Sequence, residues 1–240
     1  MFNYNWLTAP KNLNLSLNDV HLWRINLNQS ESQLQAFWET LSSDEITRAE
    51  RFYFPEHGRR FIASRGTLRA ILGRYLAIDP KQVEFEYQPR GKPFLAAKFV
   101  DQGLFFNLSH SQDLALCGVS YQNLGVDLEY IRTMPDLESL AKRFFSAEEY
   151  EHLRLVSSQE QKQMFFRYWT CKEAYVKATG DGLVKLEEIK ISLTKNQPSR
   201  LLVPGNWNLR ELTPTDNFAA AVVVAGRNIN LHCWEYSLIQ

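Results

Sequence analysis

Cysteine is scarce in this 240-residue sequence, and long apolar runs are missing from it. The three cysteines, Cys117, Cys171 and Cys233, fit no zinc-binding spacing, and an odd number suits a disulfide framework poorly. We therefore expect reduced thiols and a cytoplasmic protein. No window approaches the ~20 consecutive apolar residues that a membrane-spanning helix needs. The N-terminal stretch lacks a basic segment followed by an apolar one, so we expect no secretory signal.

There is no excess of charge of either sign, since 27 lysines and arginines balance 27 aspartates and glutamates. A neutral chain gives no support for broad nucleic-acid binding, so any site for a polyanion must be local. Apolar residues make up 45% of the sequence and charged residues 22%, as in an ordinary globular protein. This length can bury a full hydrophobic core, in one large domain or two small ones.

Several nucleotide-binding and hydrolase motifs are also missing. The sequence contains neither G-x-x-x-x-G-K-[ST] nor G-x-G-x-x-G, which argues against P-loop and dinucleotide-binding proteins. The stretch "FNLSHS" places Ser109 and His110 at the end of a predicted strand. A Ser/His hydrolase is conceivable on that basis, but the G-x-S-x-G turn is absent and the pair alone is weak evidence.

Helix and strand patterns occur twice in the same order. Long amphipathic helices are predicted over 56–78 and over 161–180. Each is preceded by a Ser and a Glu in capping-box spacing, as at Ser146 and Glu149, and each is followed by short strands. A shift of about 106 positions superposes the halves, so that Glu129 falls on Glu235. We expect an α+β fold of two similar halves, 1–122 and 123–240, related by a pseudo-twofold axis, with a ligand cleft between them. Chance similarity of two amphipathic stretches is the alternative.

The remaining elements follow from periodicity. A turn is predicted at "RGKPF" between two of the strands. Strands are predicted at 20–27, 83–87, 104–110, 114–120, 124–130, 189–193, 218–225 and 229–236, and further helices at 32–41, 42–52 and 146–155.

Acidic side chains line one face of a strand and one face of a helix. Asp127 and Glu129 lie two apart in "GVDLEY", so both point to the same side of that strand. Trp169, Glu173 and Lys177 lie at steps of four on the second long helix. A solvated strand face and a surface ion pair are the plain interpretations. If the helix instead packs across the strand, three carboxylates supply the hard oxygen ligands that suit Mg²⁺ rather than zinc, and Lys177 could reach a phosphate.

Basic residues concentrate in the first half. Arg65 and Arg69 share a helix face, with Arg60 one turn earlier. Such a group could bind a small polyanion, or it could form an exposed charged face. Arg90 and Lys92 lie on the predicted "RGKPF" turn, where they could also be ordinary turn residues.

Taken together, these stretches resemble the larger, surfactin-type class of the 4′-phosphopantetheinyl transferases. The resemblance covers most of the chain and runs through "RRFIASRGTLRAIL", "RGKPFL", "FNLSHS", "GVDLE", "FFSAEEY" and "WTCKEAYVKATGDGL", of which the last three are specific in this order. It implies two similar α+β halves with coenzyme A in the cleft between them. It also implies transfer of the phosphopantetheine arm of coenzyme A to a serine of a carrier protein, with release of adenosine 3′,5′-bisphosphate.

The resemblance assigns roles to individual residues. Asp127, Glu129 and Glu173 look like ligands of Mg²⁺, with Mn²⁺ as an alternative, and Glu173, Lys177 and His110 look like the catalytic residues. Glu45 departs from members that carry a basic residue just ahead of Arg48, so the grip on the 3′-phosphate would be weaker or differently arranged. The residues that resemble the coenzyme A site are Arg48, Arg60, Lys92, Ser109, His110, Lys172 and Lys177.

The chemistry that the resemblance implies needs charge stabilisation on the diphosphate and a base for the attacking serine. Glu173 is the candidate base, directly or through a metal-bound water, and Glu149 is either an assistant or only a capping residue. We expect acyl or peptidyl carrier domains of fatty-acid, polyketide, peptide or glycolipid synthases as partners, meeting the segment 180–193 through Lys185 and Lys190. We expect a monomer with no nucleic-acid or membrane partner.

Three alternatives to this function stay open at the level of sequence. The chain could be a Mg²⁺-dependent phosphotransferase that uses another nucleotide. It could be a binding module for coenzyme A or a carrier protein that lacks activity. It could also be a structural α+β interaction protein, although that leaves the polar faces unexplained.

Overall fold

A computed structural model of the chain describes residues 4–89, 91–180, 186–194 and 197–237. Helices and strands are interleaved within these residues. The helices are α1 (Glu31–Trp38), α2 (Ser43–Glu50), α3 (Pro55–Leu76), α4 (Leu137–Phe144), α5 (Ala147–Arg154) and α6 (Ser158–Thr179). The strands are β1 (Leu7–Thr8), β2 (Asp19–Asn26), β3 (Phe85–Tyr87), β4 (Pro93–Leu95), β5 (Phe105–Ser111), β6 (Leu114–Ser120), β7 (Leu124–Tyr130), β8 (Lys190–Ser192), β9 (Arg200–Leu202), β10 (Trp207–Leu212), β11 (Phe218–Ala225) and β12 (Asn230–Glu235).

The order of elements repeats, which confirms the α+β class with two similar subdomains. After β2 the chain forms three helices, a 3₁₀ turn, a short two-stranded hairpin and two longer strands. After β7 it forms this series again, from α4 to β11, without the second 3₁₀ segment that lies between β4 and β5 at Ala97–Gln102. The repeated helix starts have the same cause, because a serine backbone N–H donates to a glutamate three residues later: Ser42 to Glu45 at α2 and Ser146 to Glu149 at α5.

Two sheets form the centre of the molecule. The larger has the strand order β1-β12-β2-β6-β5, and the smaller has the order β10-β11-β7. Strand β12 lies parallel to β2, so a strand from the second half joins the sheet of the first half. The hairpins β3–β4 and β8–β9 form separate two-stranded sheets.

Three apolar clusters hold these layers together. The first lies between α3 and the larger sheet and includes Trp23 and Leu72, and the second lies between α6 and the smaller sheet. The third lies between the sheets, where Leu22, Val126 and Val222 meet. Because side chains alternate along a strand, the neighbours of Val126 on β7 point the other way, toward α6. Among the described residues, no helix is long and apolar enough to cross a membrane, and all three cysteines are free and buried.

Most predicted elements are confirmed, and β6, β7 and β11 have the predicted bounds. The prediction at "RGKPF" was wrong in part, because Pro93 and Phe94 belong to β4, which pairs with β3. Gly91, with φ of 82°, makes the turn just before it, and Arg90 lies outside the described residues. Strand β10 and helix α4 were not predicted, because each is short, although Leu137, Leu140 and Phe144 of α4 do recur at helical spacing.

A buried ion pair also repeats between the halves. Glu45, which caps α2, accepts from Arg69 Nε at 2.7 Å and lies 3.2 Å from Arg65 Nε. Glu149, which caps α5, pairs with Lys172 Nζ at 2.8 Å. Arg65 and Arg69 therefore do not form an exposed charged face, since both are buried around the single carboxylate of Glu45, which offsets one of their two charges. The unusual Glu45 thus has a structural role.

Candidate active site

The close approach of α6 to β7 depends on Gly125. A Cβ atom on this residue would lie 2.1 Å from the carbonyl oxygen of Ala174 and 2.4 Å from the backbone nitrogen of Ala178. No side chain fits there, so glycine lets the strand lie directly against the helix. Two and four residues further on, Asp127 and Glu129 point to the same side as Gly125, where α6 presents Glu173 and Lys177. The helix therefore packs across the strand, which was one of the interpretations left open by the sequence.

Asp127 lies at the centre of this group. Its Oδ1 accepts a hydrogen bond from Lys177 Nζ at 2.6 Å and another from Ser109 Oγ at 3.1 Å. Lys177 Nζ also donates to Ser109 Oγ at 3.1 Å, so the three side chains form a closed triangle. The ion partner of Lys177 is thus Asp127 on the strand, and not Glu173 one turn earlier on its own helix. A simple surface pair along the helix does not describe this arrangement.

Glu129 and Glu173 complete the acidic group. Burial and the nearby charge of Asp127 raise the pKa of Glu173 to about 7, and the same two causes raise the pKa of Glu129. Glu129 Oε2 accepts from Ser111 Oγ at 3.2 Å. The charge of Asp127 thus disfavours the ionised form of each of the two glutamates. A cation among them would relieve that repulsion.

The donor set fits a hard divalent cation. Asp127 Oδ2 and Glu173 Oε1 are both buried, and neither has a hydrogen-bond partner among the described residues. Unpaired buried carboxylate oxygens are costly, and only oxygen ligands are offered here, as Mg²⁺ prefers. The oxygens of the three carboxylates are not all within 4.8 Å of one another, so holding one ion requires a change of side-chain rotamer.

His110 lies beside this group at the end of β5, surrounded by positive charge. Partial burial of the ring lowers the pKa of His110, and the charges of Lys177, Arg60 and Arg48 lower it further. Arg48 is exposed and lies over the ring of Phe61 at 5.2 Å. Arg60 Nε donates to Asp113 Oδ1 at 2.7 Å. Basic residues on α2, α3 and α6 therefore act on the imidazole of His110.

Lys92 connects the β3–β4 hairpin to this site. Its Nζ donates to the carbonyl oxygen of Lys177 and lies 3.5 Å from that of Leu124. Burial lowers the pKa of Lys92, and the Lys177 ammonium group lowers it further. Lys92 is therefore near the other basic residues, but its observed partners are backbone carbonyls at the end of α6 and the start of β7. Its assignment to the nucleotide end stays a prediction.

The structure does not bring Lys172 to this group. Its side chain is 0% exposed, and its Nζ donates to the carbonyl oxygens of Leu186 and Ile189 as well as pairing with Glu149. One residue along a helix is a rotation of about 100°, so Lys172 and Glu173 point in different directions. The carboxylate of Glu149 is also occupied, by Lys172, Ser146 N and Ile191 N. Both residues join α5, α6 and β8.

Two side chains that join the halves were missed by sequence reasoning. Asn107 Oδ1 accepts from the backbone N–H of Val126 at 2.7 Å, and Ser111 Oγ accepts from that of Tyr130 at 3.1 Å. These contacts join β5 to the free edge of β7, although the two strands are not paired in one sheet. The alternation of Asn107, Ser109 and Ser111 in "FNLSHS" was the available signal, since period two places all three on one face.

An apolar cavity of about 420 Å³ opens next to Glu129. Met134, Phe166 and Trp169 are among its lining residues, and Trp169 stacks on Phe165 with ring centroids 5.8 Å apart. The sequence placed Trp169 on the face of Glu173 and Lys177, but its ring lines this cavity.

The segment 180–193 was predicted to contact the carrier protein through Lys185 and Lys190. Residues 181–185, and so Lys185, lie outside the described residues. The Nζ atom of Lys190 lies 3.5 Å from Glu148 Oε2.

Comparisons with known proteins agree with the resemblance seen in the sequence. Residues 123–223 match the model of the 4′-phosphopantetheinyl transferase superfamily, and residues 26–121 match that of the 4′-phosphopantetheinyl transferase N-terminal domain. The chain is 58% identical to 4′-phosphopantetheinyl transferase HetI of Nostoc sp. over 237 residues, which is 98% of this chain and 100% of that protein. It is 28% identical to 4′-phosphopantetheinyl transferase Sfp of Bacillus subtilis over 176 residues, 73% of this chain and 76% of that protein.

A solved structure gives a more distant likeness. The holo-(acyl-carrier-protein) synthase from Bacillus anthracis, solved in complex with coenzyme A (3′,5′-ADP), covers 42% of this chain and 93% of its own, with 21% identity and a TM-score of 0.38.

Proposed function

This chain belongs to the 4′-phosphopantetheinyl transferase family and transfers the 4′-phosphopantetheine group of coenzyme A to carrier proteins; we propose that it does so at the group formed by Asp127, Glu129, Glu173, Lys177, Ser109 and His110. The observation that carries the proposal is the pair of buried, unpartnered carboxylate oxygens on Asp127 and Glu173, next to the ammonium group of Lys177, which pairs with Asp127. Negative and positive groups side by side suit a complex of a cation with a diphosphate.

Asp127, Glu129 and Glu173 are the residues that would hold Mg²⁺, with Mn²⁺ as the alternative. When bound, this ion would neutralise charge on the oxygens of the diphosphate. Lys177 would supply a second positive charge to the same oxygens. Its ammonium group rests on Asp127 Oδ1 and Ser109 Oγ, which fix its direction. His110, near the end of β5, would donate a hydrogen bond to the diphosphate.

The reaction is a displacement at phosphorus. The carrier serine oxygen bonds to the phosphorus that bears the pantetheine arm, and the bond from that phosphorus to the bridging oxygen breaks. Adenosine 3′,5′-bisphosphate leaves with the bridging oxygen, so charge develops there, close to Lys177 and His110. The serine proton must be accepted by a base, and Glu173 is our candidate. Glu149 has no free oxygen for this task, because its carboxylate is occupied inside the fold.

We assign the nucleotide end of coenzyme A to the first half, 1–122, and the metal and carrier contacts to the second half, 123–240. Arg48 and Arg60 support the first assignment, because they lie on α2 and α3 and their charges reach His110. The cavity beside Glu129 supports the second, since Glu129 is one of its lining residues and the cavity lies within the second half. One chain supplies both sides of the site, so we further propose that a monomer acts in the cytoplasm.

The direct test is carrier modification. The protein would be incubated with coenzyme A, Mg²⁺ and a panel of apo carrier domains from fatty-acid, polyketide, peptide and glycolipid synthases, and each carrier would be weighed by mass spectrometry. We expect one added phosphopantetheine on at least one carrier and none after chelation of the metal. Asp127→Asn should abolish the mass gain, whereas Asp101→Asn, at an exposed position, should not. Modification at the wild-type rate by Asp127→Asn would contradict the assigned site.

A further inference from the structure

We propose that Asp19, His21 and His232 form a separate site for Zn²⁺ or a similar transition-metal ion, which joins the last strand of the chain to the first half. One ligand atom from each of these residues lies within 4.8 Å of the other two. Two histidines and one carboxylate are a common ligand set for such ions.

The pairing of β12 with β2 creates this group. The strands run parallel, with His232 opposite His21 and Asn230 opposite Asp19. Asp19 lies two residues before His21 on the same strand face, so the three side chains converge. His232 Nε2 lies 3.6 Å from Asp19 Oδ1. Two ligands of a tetrahedral zinc ion, at bond lengths of about 2.0–2.1 Å, lie roughly 3.4 Å apart, so this pair needs almost no movement.

The side chains are held by further contacts. Asp19 Oδ2 accepts from the backbone N–H of Ser16 at 2.9 Å, and Oδ1 accepts from Asn230 Nδ2 at 3.1 Å. His21 Nδ1 lies 2.7 Å from the hydroxyl of Tyr75, which also accepts from Trp23 Nε1 at 3.0 Å. A metal-binding histidine commonly donates through its other ring nitrogen to an oxygen, and Tyr75 provides that oxygen.

One ring nitrogen of His21 is left without a protein partner. His21 is 3% exposed, and its Nε2 makes no hydrogen bond to any residue in the described ranges. Its ring meets that of His232 edge-on, with centroids 5.2 Å apart. His232 itself stacks on Trp234 and remains accessible, with 42% of its side chain exposed. An ion could therefore enter from solvent and keep a water molecule as its fourth ligand.

This group is distinct from the proposed magnesium site in place and in chemistry. Strand β6 separates β2 from β5, which carries Ser109 and His110. His21 contacts Tyr75 of α3, so it lies on the face of the larger sheet that α3 covers. Its strand neighbours Val20 and Leu22 face the smaller sheet instead. Imidazole nitrogens favour zinc and its neighbours over Mg²⁺, so excess Mg²⁺ should not compete at this site.

The expected consequence is stabilisation, because the ion would connect β2 to β12. A ligand at 100 times its dissociation constant stabilises a folded protein by about 2.7 kcal/mol, which is a rise in Tm of about 5–10 °C at this chain length.

The test is a titration of the full chain with Zn²⁺ and Co²⁺ at saturating Mg²⁺, read by calorimetry, by visible absorption of Co²⁺ and by Tm. We expect one equivalent to bind, with tetrahedral cobalt bands and a rise in Tm. His232→Ala should weaken binding by about 100-fold or more and keep carrier modification at the wild-type rate. Asp19→Asn should weaken it too, and His57→Ala, which removes an exposed histidine elsewhere, should not.

Two results would overturn the site. One is wild-type protein that binds no Zn²⁺ under these conditions. The other is His232→Ala and Asp19→Asn variants that bind Zn²⁺ with wild-type affinity, which would place the ion elsewhere.

Discussion

Replacing Lys172 by methionine separates a structural role from a role in binding coenzyme A. The ammonium group is fully buried, 2.8 Å from Glu149 Oε2 and 2.9 Å from the carbonyl oxygen of Leu186. Burial lowers the pKa of Lys172, and the charge of Glu149 opposes that effect. Methionine keeps most of the volume and removes the charge, so Glu149 becomes a buried carboxylate without its cation.

Removing one member of a buried ion pair costs about 3–5 kcal/mol in the free energy of unfolding. At about 2–4 °C per kcal/mol for a chain of this size, the Tm should fall by roughly 6–20 °C. Lys190→Met is the matched control, because Lys190 forms an exposed pair with Glu148 at 3.5 Å. Such a surface pair contributes about 0–1 kcal/mol.

The assay combines urea unfolding with steady-state kinetics of the folded protein. We expect Lys172→Met to lose stability while its KM for coenzyme A stays within about twofold of wild type, since the ammonium group does not reach the site surface. A Lys172→Met protein that unfolds at the wild-type urea concentration but shows a much higher KM would refute this reasoning. It would place Lys172 in the coenzyme A site, as the sequence resemblance first implied.

Three further changes test the site. Lys177→Ala should lower kcat far more than it raises KM for coenzyme A, because its charge matters most as the leaving group develops; an unchanged kcat with weaker binding would contradict that role. Gly125→Ala should lower the Tm and abolish transfer, because a Cβ atom would lie 2.1 Å from the carbonyl oxygen of Ala174 and force β7 away from α6. A stable, active variant would be inconsistent with this packing. Arg48→Ala should raise KM for coenzyme A by about 10–100-fold, as expected for a lost charge-assisted hydrogen bond, but should change KM for dephospho-coenzyme A little. Arg51→Ala is the control at an exposed position. Equal effects on both substrates would rule out a contact between Arg48 and the 3′-phosphate.

Local periodicity was sufficient to predict the elements that position the site. The two-residue spacing of Asp127 and Glu129 and the four-residue spacing of Glu173 and Lys177 are properties of single elements. The sequence therefore indicated which face each side chain occupies. Strand β7 and helix α6 then formed where periodicity placed them, and their contact brought the two faces together.

Periodicity could not predict which charges become buried. Arg65, Arg69 and Lys172 lie on helix faces that α2 and α5 cover, and their partners Glu45 and Glu149 come from those other helices. A single glutamate both caps its own helix and neutralises its neighbour, and the capping pattern reveals only the first of these roles. The basic residues were therefore expected at an anion site or at the surface.

Long-range strand pairing was also invisible in the sequence. His21 and His232 lie near opposite ends of the chain, and only the parallel pairing of β2 with β12 places them side by side. The internal repeat gave no hint of it, because the repeat compares each half with the other and does not show which strands pair between them.

In the proposed site, three carboxylates hold a divalent ion that contacts the diphosphate of coenzyme A. Phosphorus NMR of coenzyme A with excess protein and a trace of Mn²⁺ measures this contact directly, because a paramagnetic ion broadens the nearest phosphorus resonances most. We predict that the two diphosphate resonances broaden more than the 3′-phosphate resonance, and that Glu173→Gln or Asp127→Asn removes the protein-dependent broadening. Equal broadening of all three resonances, or the same spectrum with those variants, would contradict the account.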